Sequence, residues 1–218
     1  MASLMESLMG MLSGDTLDKI SQQVGAPKEK TQQALPDILA VLTGGLAKNS
    51  SRQEGAQELS QALARDHDGS VLNNLGDYIN HYKEADGNKI LKHVLGSKQP
   101  EVEKNLSQKD GLDIGTIGNL LAMAAPIVMG VLGKTQRQSN LDAGSLSSLL
   151  GQEQNRAKNI SPGAMDILNQ VLGRKEESVQ SQQSGASTAK KRSPLVTIII
   201  IVAVVVVGFL LLRACGIF

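Results

Sequence analysis

The sequence has no tryptophan, one cysteine and two phenylalanines, and both phenylalanines, Phe209 and Phe218, fall in its last ten residues. Each shortage excludes something. The lone Cys215 cannot form an intrachain disulfide or a cysteine-based zinc site. It reads as a free thiol, a partner in an intermolecular disulfide, or a point of lipid attachment. Upstream of residue 209 only Tyr78 and Tyr82 offer aromatic rings, too few for a platform that stacks single-stranded bases. Concentrated positive charge is missing too. The 218-residue chain is +1 overall. Residues 174–193 hold five basic and two acidic residues, and Arg213 adds one positive charge, so the rest stands at −3. A mildly acidic body argues against a nucleic-acid partner. Strand-like alternation is scarce. The opening Met1-Ala2-Ser3-Leu4-Met5-Glu6 has no basic n-region, so no secretory leader is expected.

What stands out instead is one long oily run, residues 195–212. It contains no charge, and Thr197 is its one polar side chain. As a helix it would cover about 27 Å, close to the hydrocarbon thickness of a bilayer. In lipid every backbone group must bond within the segment, which favours helix despite the β-branched residues. A transmembrane helix is therefore expected over 195–213, with Leu195, Ile198, Ile201, Val205, Phe209 and Leu212 along its lipid-facing length. The competing reading is a buried, aggregation-prone strand. Gly208 is its one glycine, so no small-xxx-small pair recommends self-association. Lys190, Lys191 and Arg192 precede the run and Arg213 alone follows it. Basic flanks prefer the cytoplasm, so the body is expected on the cytoplasmic side of the inner membrane. The five residues 214–218 become a short exported tail, and the protein reads as tail-anchored and single-pass.

Residues 1–173 read as one all-α domain built of short helices, and 174–194 as a polar, basic tether. Leu4, Leu8 and Met11-Leu12 share a face that docks on the core. Asp15 is read as the N-cap of the next helix, Gly25 as its stop and Pro27 as the opening of another. Leu35, Ile38, Leu39, Leu42 and Leu46 form a strong helical stripe. Pro36 either starts that helix or kinks a longer one from Lys28. Residues 49–54 read as a loop, followed by a helix that buries Leu59 and Leu63. Two similar units, Asp68–Gly76 and Asp86–Gly96, read as short capped helices closed by glycine, an ending repeated near Gly151 and Gly173. Ser161-Pro162 reads as the start of the last helix of the domain.

The stretch 114–133 is uncharged and must be weighed as a second membrane pass. Its dense part, 120–132, is short for a span and suits a buried core helix better. It also echoes an earlier segment, since Ala34-Leu35-Pro36-Asp37-Ile38-Leu39 aligns with Ala124-Ala125-Pro126-Ile127-Val128-Met129. We read a weak internal duplication, with two proline-containing helices packed at the centre. Chance similarity between Leu- and Ala-rich helices is the alternative.

Catalytic motifs are sparse. Gly133-Lys134-Thr135 ends like a phosphate loop, but the glycine needed five positions earlier is Val128. His67, His81 and His93 have no helical ligand spacing, and no local motif completes a site around them. No serine lies in a nucleophile elbow. No cofactor, metal or catalytic set is expected from these patterns.

Taken together, Ile90-Leu91 with Val94-Leu95-Gly96, the segment 124–133, and Gln32-Gln33-Ala34-Leu35-Pro36 with Gly44-Gly45-Leu46 resemble the YidB-like bacterial domain of unknown function. The resemblance covers about 3–151, or to 173. It implies an all-helical domain without an established activity, so it carries over no functional residues. The expected function is a membrane-tethered, non-enzymatic protein-interaction module, with the bilayer and a membrane-located protein as partners. The alternative is an enzyme whose dispersed site involves His67, His81 or His93. A polar pocket gathering the histidines would favour the enzyme, and an exposed Leu/Met groove the interaction module.

Overall fold

The structure, a computed structural model, describes residues 3–173. The chain runs as α1 (Leu4–Met11), α2 (Asp15–Val24), α3 (Lys28–Ser50), α4 (Gln53–Arg65), α5 (Leu75–Asn80), α6 (Gly87–Leu95), α7 (Gln99–Asp110), α8 (Ile114–Gln138), α9 (Ala143–Ile160) and α10 (Pro162–Gly173). Short 3-10 turns link α4 to α5, α5 to α6, and α6 to α7. Among the described residues there is no strand, and the fold is all-α. The expected anchor residues Leu195, Ile198, Ile201, Val205, Phe209 and Leu212, the flanking Lys190, Lys191, Arg192 and Arg213, and Cys215 lie outside the described residues.

The core is organised by α3 and α8, the two helices that contain proline. Both have apolar residues nearly all round, which is what a helix packed on every side requires. They pack on each other. α9 and α10 cover α3, while α4, α6 and α7 cover α8. Helix α8 is long and apolar enough to cross a membrane, yet 78% of its apolar stretch is buried inside the fold. That observation decides for the core helix over the second pass.

Each proline leaves one carbonyl without its intrahelical donor. Pro36 releases the carbonyl of Gln32, which is exposed and open to water. α3 continues through Pro36 without a break, and the longer of the two expected helices is the real one. Pro126 releases the buried carbonyl of Ala122, and Gly87 is packed against it. A Cβ at Gly87 would sit 2.0 Å from that oxygen. The Tyr78 hydroxyl donates to the neighbouring Met123 carbonyl at 2.8 Å. Two elements thus meet the α8 backbone itself where proline interrupts its ladder.

The two long helices are entered in the same way. α2 stops at Gly25 (φ 69°, ψ 33°) and α3 starts three residues later. α7 stops at Gly111 (φ 65°, ψ 33°) and α8 starts three residues later. Only glycine adopts this left-handed conformation without a steric cost. Ala26 N–H closes the first stop on the Ser21 carbonyl at 3.0 Å.

Several expectations need correction. Gly14 (φ 58°), not Asp15, precedes α2; Asp15 is already helical and places its charge at the positive end of the helix. Gly76 and Gly151 lie inside helices and stop nothing. The resemblance between Asp68–Gly76 and Asp86–Gly96 is therefore one of residues, since the first becomes a 3-10 turn running into α5 and the second becomes α6. The loop expected over 49–54 shrinks to two residues. Gly44 and Gly45 lie inside α3, where a Cβ at Gly45 would also lie 3.6 Å from the Val94 carbonyl. They admit Leu168 and Met165 of α10 and Val94 of α6. Helix α1 docks on the core as expected, burying Leu4, Met5 and Leu8. Its first turn is closed by Ser3 and Glu6, and Met5 N–H donates to the buried Glu153 of α9 at 3.2 Å.

Candidate functional site

Helices α4 and α6 both rest on α3 and α8 and leave a groove of about 510 Å³ between them. Its floor is Leu46, Leu59, Ala62, Ile90, Val94 and Met129. Its walls carry Arg52, Glu58, Arg65, Asp66 and His67 on one side, and Asp86, Lys89 and His93 on the other. The alternation follows from helix geometry: positions 59, 62 and 90, 94 face inward while 58, 65 and 86, 89, 93 stand at the edges. Asn49, near the end of α3, fixes one end of the groove. Its amide donates to the carbonyls of His93 and Val94 at 3.0 and 3.2 Å, closing the last turn of α6. The other end is fixed by close backbone approach. A Cβ at Gly133 would fall 1.8 Å from the His67 carbonyl, so only a glycine lets this turn lie on α8.

The structure brings two of the three histidines to this groove. His67 is half-buried, and burial lowers its imidazole below the usual range, while the charges of Asp66 and Asp86 pull the other way. It is held toward the neutral form. His93 stands on the opposite wall. His81 is elsewhere, with its ring nitrogen 3.0 Å from the Asp77 carbonyl and its side chain exposed. Two of the wall carboxylates already have cations: Asp66 bonds Arg65 at 2.8 Å and Asp86 bonds Lys89 at 2.6 Å. Among the described residues no group of three or more His, Cys, Asp or Glu is placed to hold a metal. The Gly133-Lys134-Thr135 segment is interior helix, not a loop, and offers no phosphate cradle.

A second polar centre lies on the other side of α3, and the sequence motifs do not point to it. Asp37, two residues after the first leucine of the α3 stripe, is 4% exposed. Its carboxylate takes the Ser161 hydroxyl from the start of α10 and the Lys109 ammonium from the end of α7. Lys109 also bonds Asp110 at 3.2 Å. Lys109 thus joins the two carboxyls, and each acts on the proton affinity of the other. Burial raises the Asp110 carboxyl to about 7, and the neighbouring Asp37 adds to that. Asp37 itself is lowered: burial raises it, but bonds from Asp110, Lys109 and Ser161 outweigh that cost. Gly163, in the first turn of α10, makes room for the lysine; a Cβ there would lie 2.8 Å from Lys109 Cε. The one sequence signal is an acid inside the apolar stripe of α3. Asp110 gives none, since its neighbours Lys109 and Gly111 suggest only a solvated helix end.

No curated protein and no solved structure matches the chain. A family model does match, over residues 6–135 and 135–212, well past the 151–173 limit expected from the motifs. Its description is a bacterial protein of unknown function (DUF937), the YidB-like family, and the chain belongs to it.

Proposed function

We propose that the helical body is a non-enzymatic interaction module held at the inner membrane by residues 195–213, with the α4–α6 groove as its binding face. The observation that carries this reading is the groove itself: an apolar floor with charged edges, built on two rigid core helices. Its occupant is a short amphipathic segment of a membrane-located protein, which would lay one row of apolar side chains along Leu59, Ile90 and Met129. Charge complementarity sets the direction. At one end of the groove Asp66 and Asp86 are already paired with Arg65 and Lys89, so the charge left to steer an occupant is Arg52 at the other end, which favours the negative C-terminus of a helical occupant there. The basic residues before the apolar run support a cytoplasmic body, and the polar 174–194 tether raises the effective concentration of the groove toward membrane partners.

The test places a photo-crosslinker at Lys89 in the full-length chain in intact cells. A product with a membrane-embedded protein should form, disappear on Leu59→Asp, and weaken when the chain ends at Ser193. A product indifferent to Leu59→Asp would remove the groove from the reading. Equal capture by both lengths would remove the tether.

One observation favours the enzymatic alternative. His67, kept neutral beside the groove, is suited to accept a proton. On that reading the double variant His67→Ala, His93→Ala abolishes the phenotype of the protein while leaving the Lys89 crosslink intact. On the interaction reading crosslink and phenotype move together, both kept or both weakened.

A further inference from the structure

We infer that the Asp37–Asp110 carboxyl pair is a proton-operated latch that holds α10 against α3 and α7 and loosens as the shared proton leaves. Three helices meet at this point and share one buried polar cluster. Asp37 comes from α3, Lys109 and Asp110 from the end of α7, and Ser161 from the residue before α10. The Asp110 side chain is 4% exposed. Its Oδ2 is buried and faces no donor. Ionised, the pair would place two negative charges in contact with a single ammonium, and that oxygen would stay unsatisfied. Protonated, Asp110 becomes a donor to Asp37 and the cluster is neutral.

The charged groups that act on Asp110 are Asp37 across the junction and Lys109 on its own helix. Lys30 of α3 lies nearby but beside Gly111, where a Cβ would be 3.3 Å from its ammonium. From α8 the near group is Asp113, which is engaged in capping its own helix on Thr116. α10 contributes no charge to the junction; its one ionisable residue, Asp166, is exposed.

The direction follows from proton linkage. The latched state holds a proton on Asp110 up to about pH 7. With α10 undocked and the carboxyl hydrated, that proton is released near pH 4, the ordinary range for Asp. Between those limits the latched state binds one more proton than the open state, so rising pH favours opening, and the effect levels off above 7. Asp37 works oppositely, because its lowered value stabilises the latch above pH 4 and is lost below it. The latch is therefore tightest in mildly acidic conditions. Since α10 is the last described helix before the tether, opening it would lengthen the connection by about 18 Å if the twelve residues stay helical.

Hydrogen exchange on the full-length chain in detergent micelles tests this, read as protection of α10 amides from pH 5 to 8 after correction for base-catalysed exchange. α2, which touches none of these groups, serves as the internal reference. The opening equilibrium of α10 should rise by up to about tenfold per pH unit between 5 and 7, then flatten, with α2 unchanged. Asp110→Asn, whose amide donates at every pH, should abolish the slope. A flat profile in the native chain, a slope that survives Asp110→Asn, or α2 moving in parallel would each overturn the latch. Should the variant fail to fold, the native carboxyl can be followed by NMR. Titration of Asp110 near neutrality supports the proposal, and titration in the ordinary carboxylate range defeats it.

Discussion

The two helix–glycine–helix units of this fold share their entry and differ in the residue just after the proline. Pro36 is succeeded by Asp37, and Pro126 by Ile127 at the aligned position. Ile127 is fully buried among apolar side chains. Asp37 is buried almost as deeply, yet it gathers Ser161, Lys109 and Asp110. One scaffold therefore supports a dry joint in its second half and a polar, proton-dependent joint in its first. A buried carboxylate is tolerable only where donors converge on it, and two neighbouring elements, the end of α7 and the start of α10, supply them to α3.

Swapping the two residues breaks the comparison hardest. Ile127→Asp places a carboxyl among groups that cannot donate to it, and such a site raises its pKa by several units. The expected cost is about 4–7 kcal/mol at pH 7, smaller at pH 5 where the group is neutral. Denaturant unfolding at both pH values reads it directly. The reverse change, Asp37→Ile, removes the acceptor of Ser161 and one of the two acceptors of Lys109, and should cost about 2–3 kcal/mol by the same measurement.

Glycines sharpen the contrast at smaller scale. In α8, Gly133→Ala drives a methyl into a fixed backbone carbonyl, and a loss of about 3 kcal/mol is expected. In α3, Gly44→Ala meets only the ends of Leu168 and Met165, which can turn aside, so about 1 kcal/mol is expected. The difference between the two thermal midpoints is the quantity to compare. Comparable in size is Ser161→Ala, which deletes one donor to Asp37 and should cost about 1 kcal/mol. Its effect should appear first as faster exchange in α10.

Much of the fold could be read from the residues because helix periodicity is local. The stripe Leu35, Ile38, Leu39, Leu42 declared α3, and the dense 120–132 segment declared a core helix. Gly25 declared the stop of α2, since a left-handed cap needs only the residue that fits it. Gly76 and Gly151 misled for the complementary reason. Glycine is permissive rather than obligatory: a Cβ would meet nothing at Gly151 and only the end of the Lys19 side chain at Gly76, so the helix simply continues through both. The groove was half legible. His67 and His93 attracted notice by type, but nothing in their spacing revealed that α4 and α6 would hold them on facing walls. Asp37 and Asp110 meet from positions 73 residues apart, and no local pattern encodes such a meeting.

The contact between α8 and its neighbours at Ala122 and His67 has a consequence for redesign. There, backbone lies on backbone, and positions 87 and 133 have no spare volume for any side chain. A library randomised at these two sites and sorted for folded protein should return glycine at both. The same library opened at the groove edges, at 58 or 89, should accept nearly the whole alphabet. Mutational freedom in this molecule would then be drawn by helix separation: nil where main chains touch, wide where a solvent channel parts them.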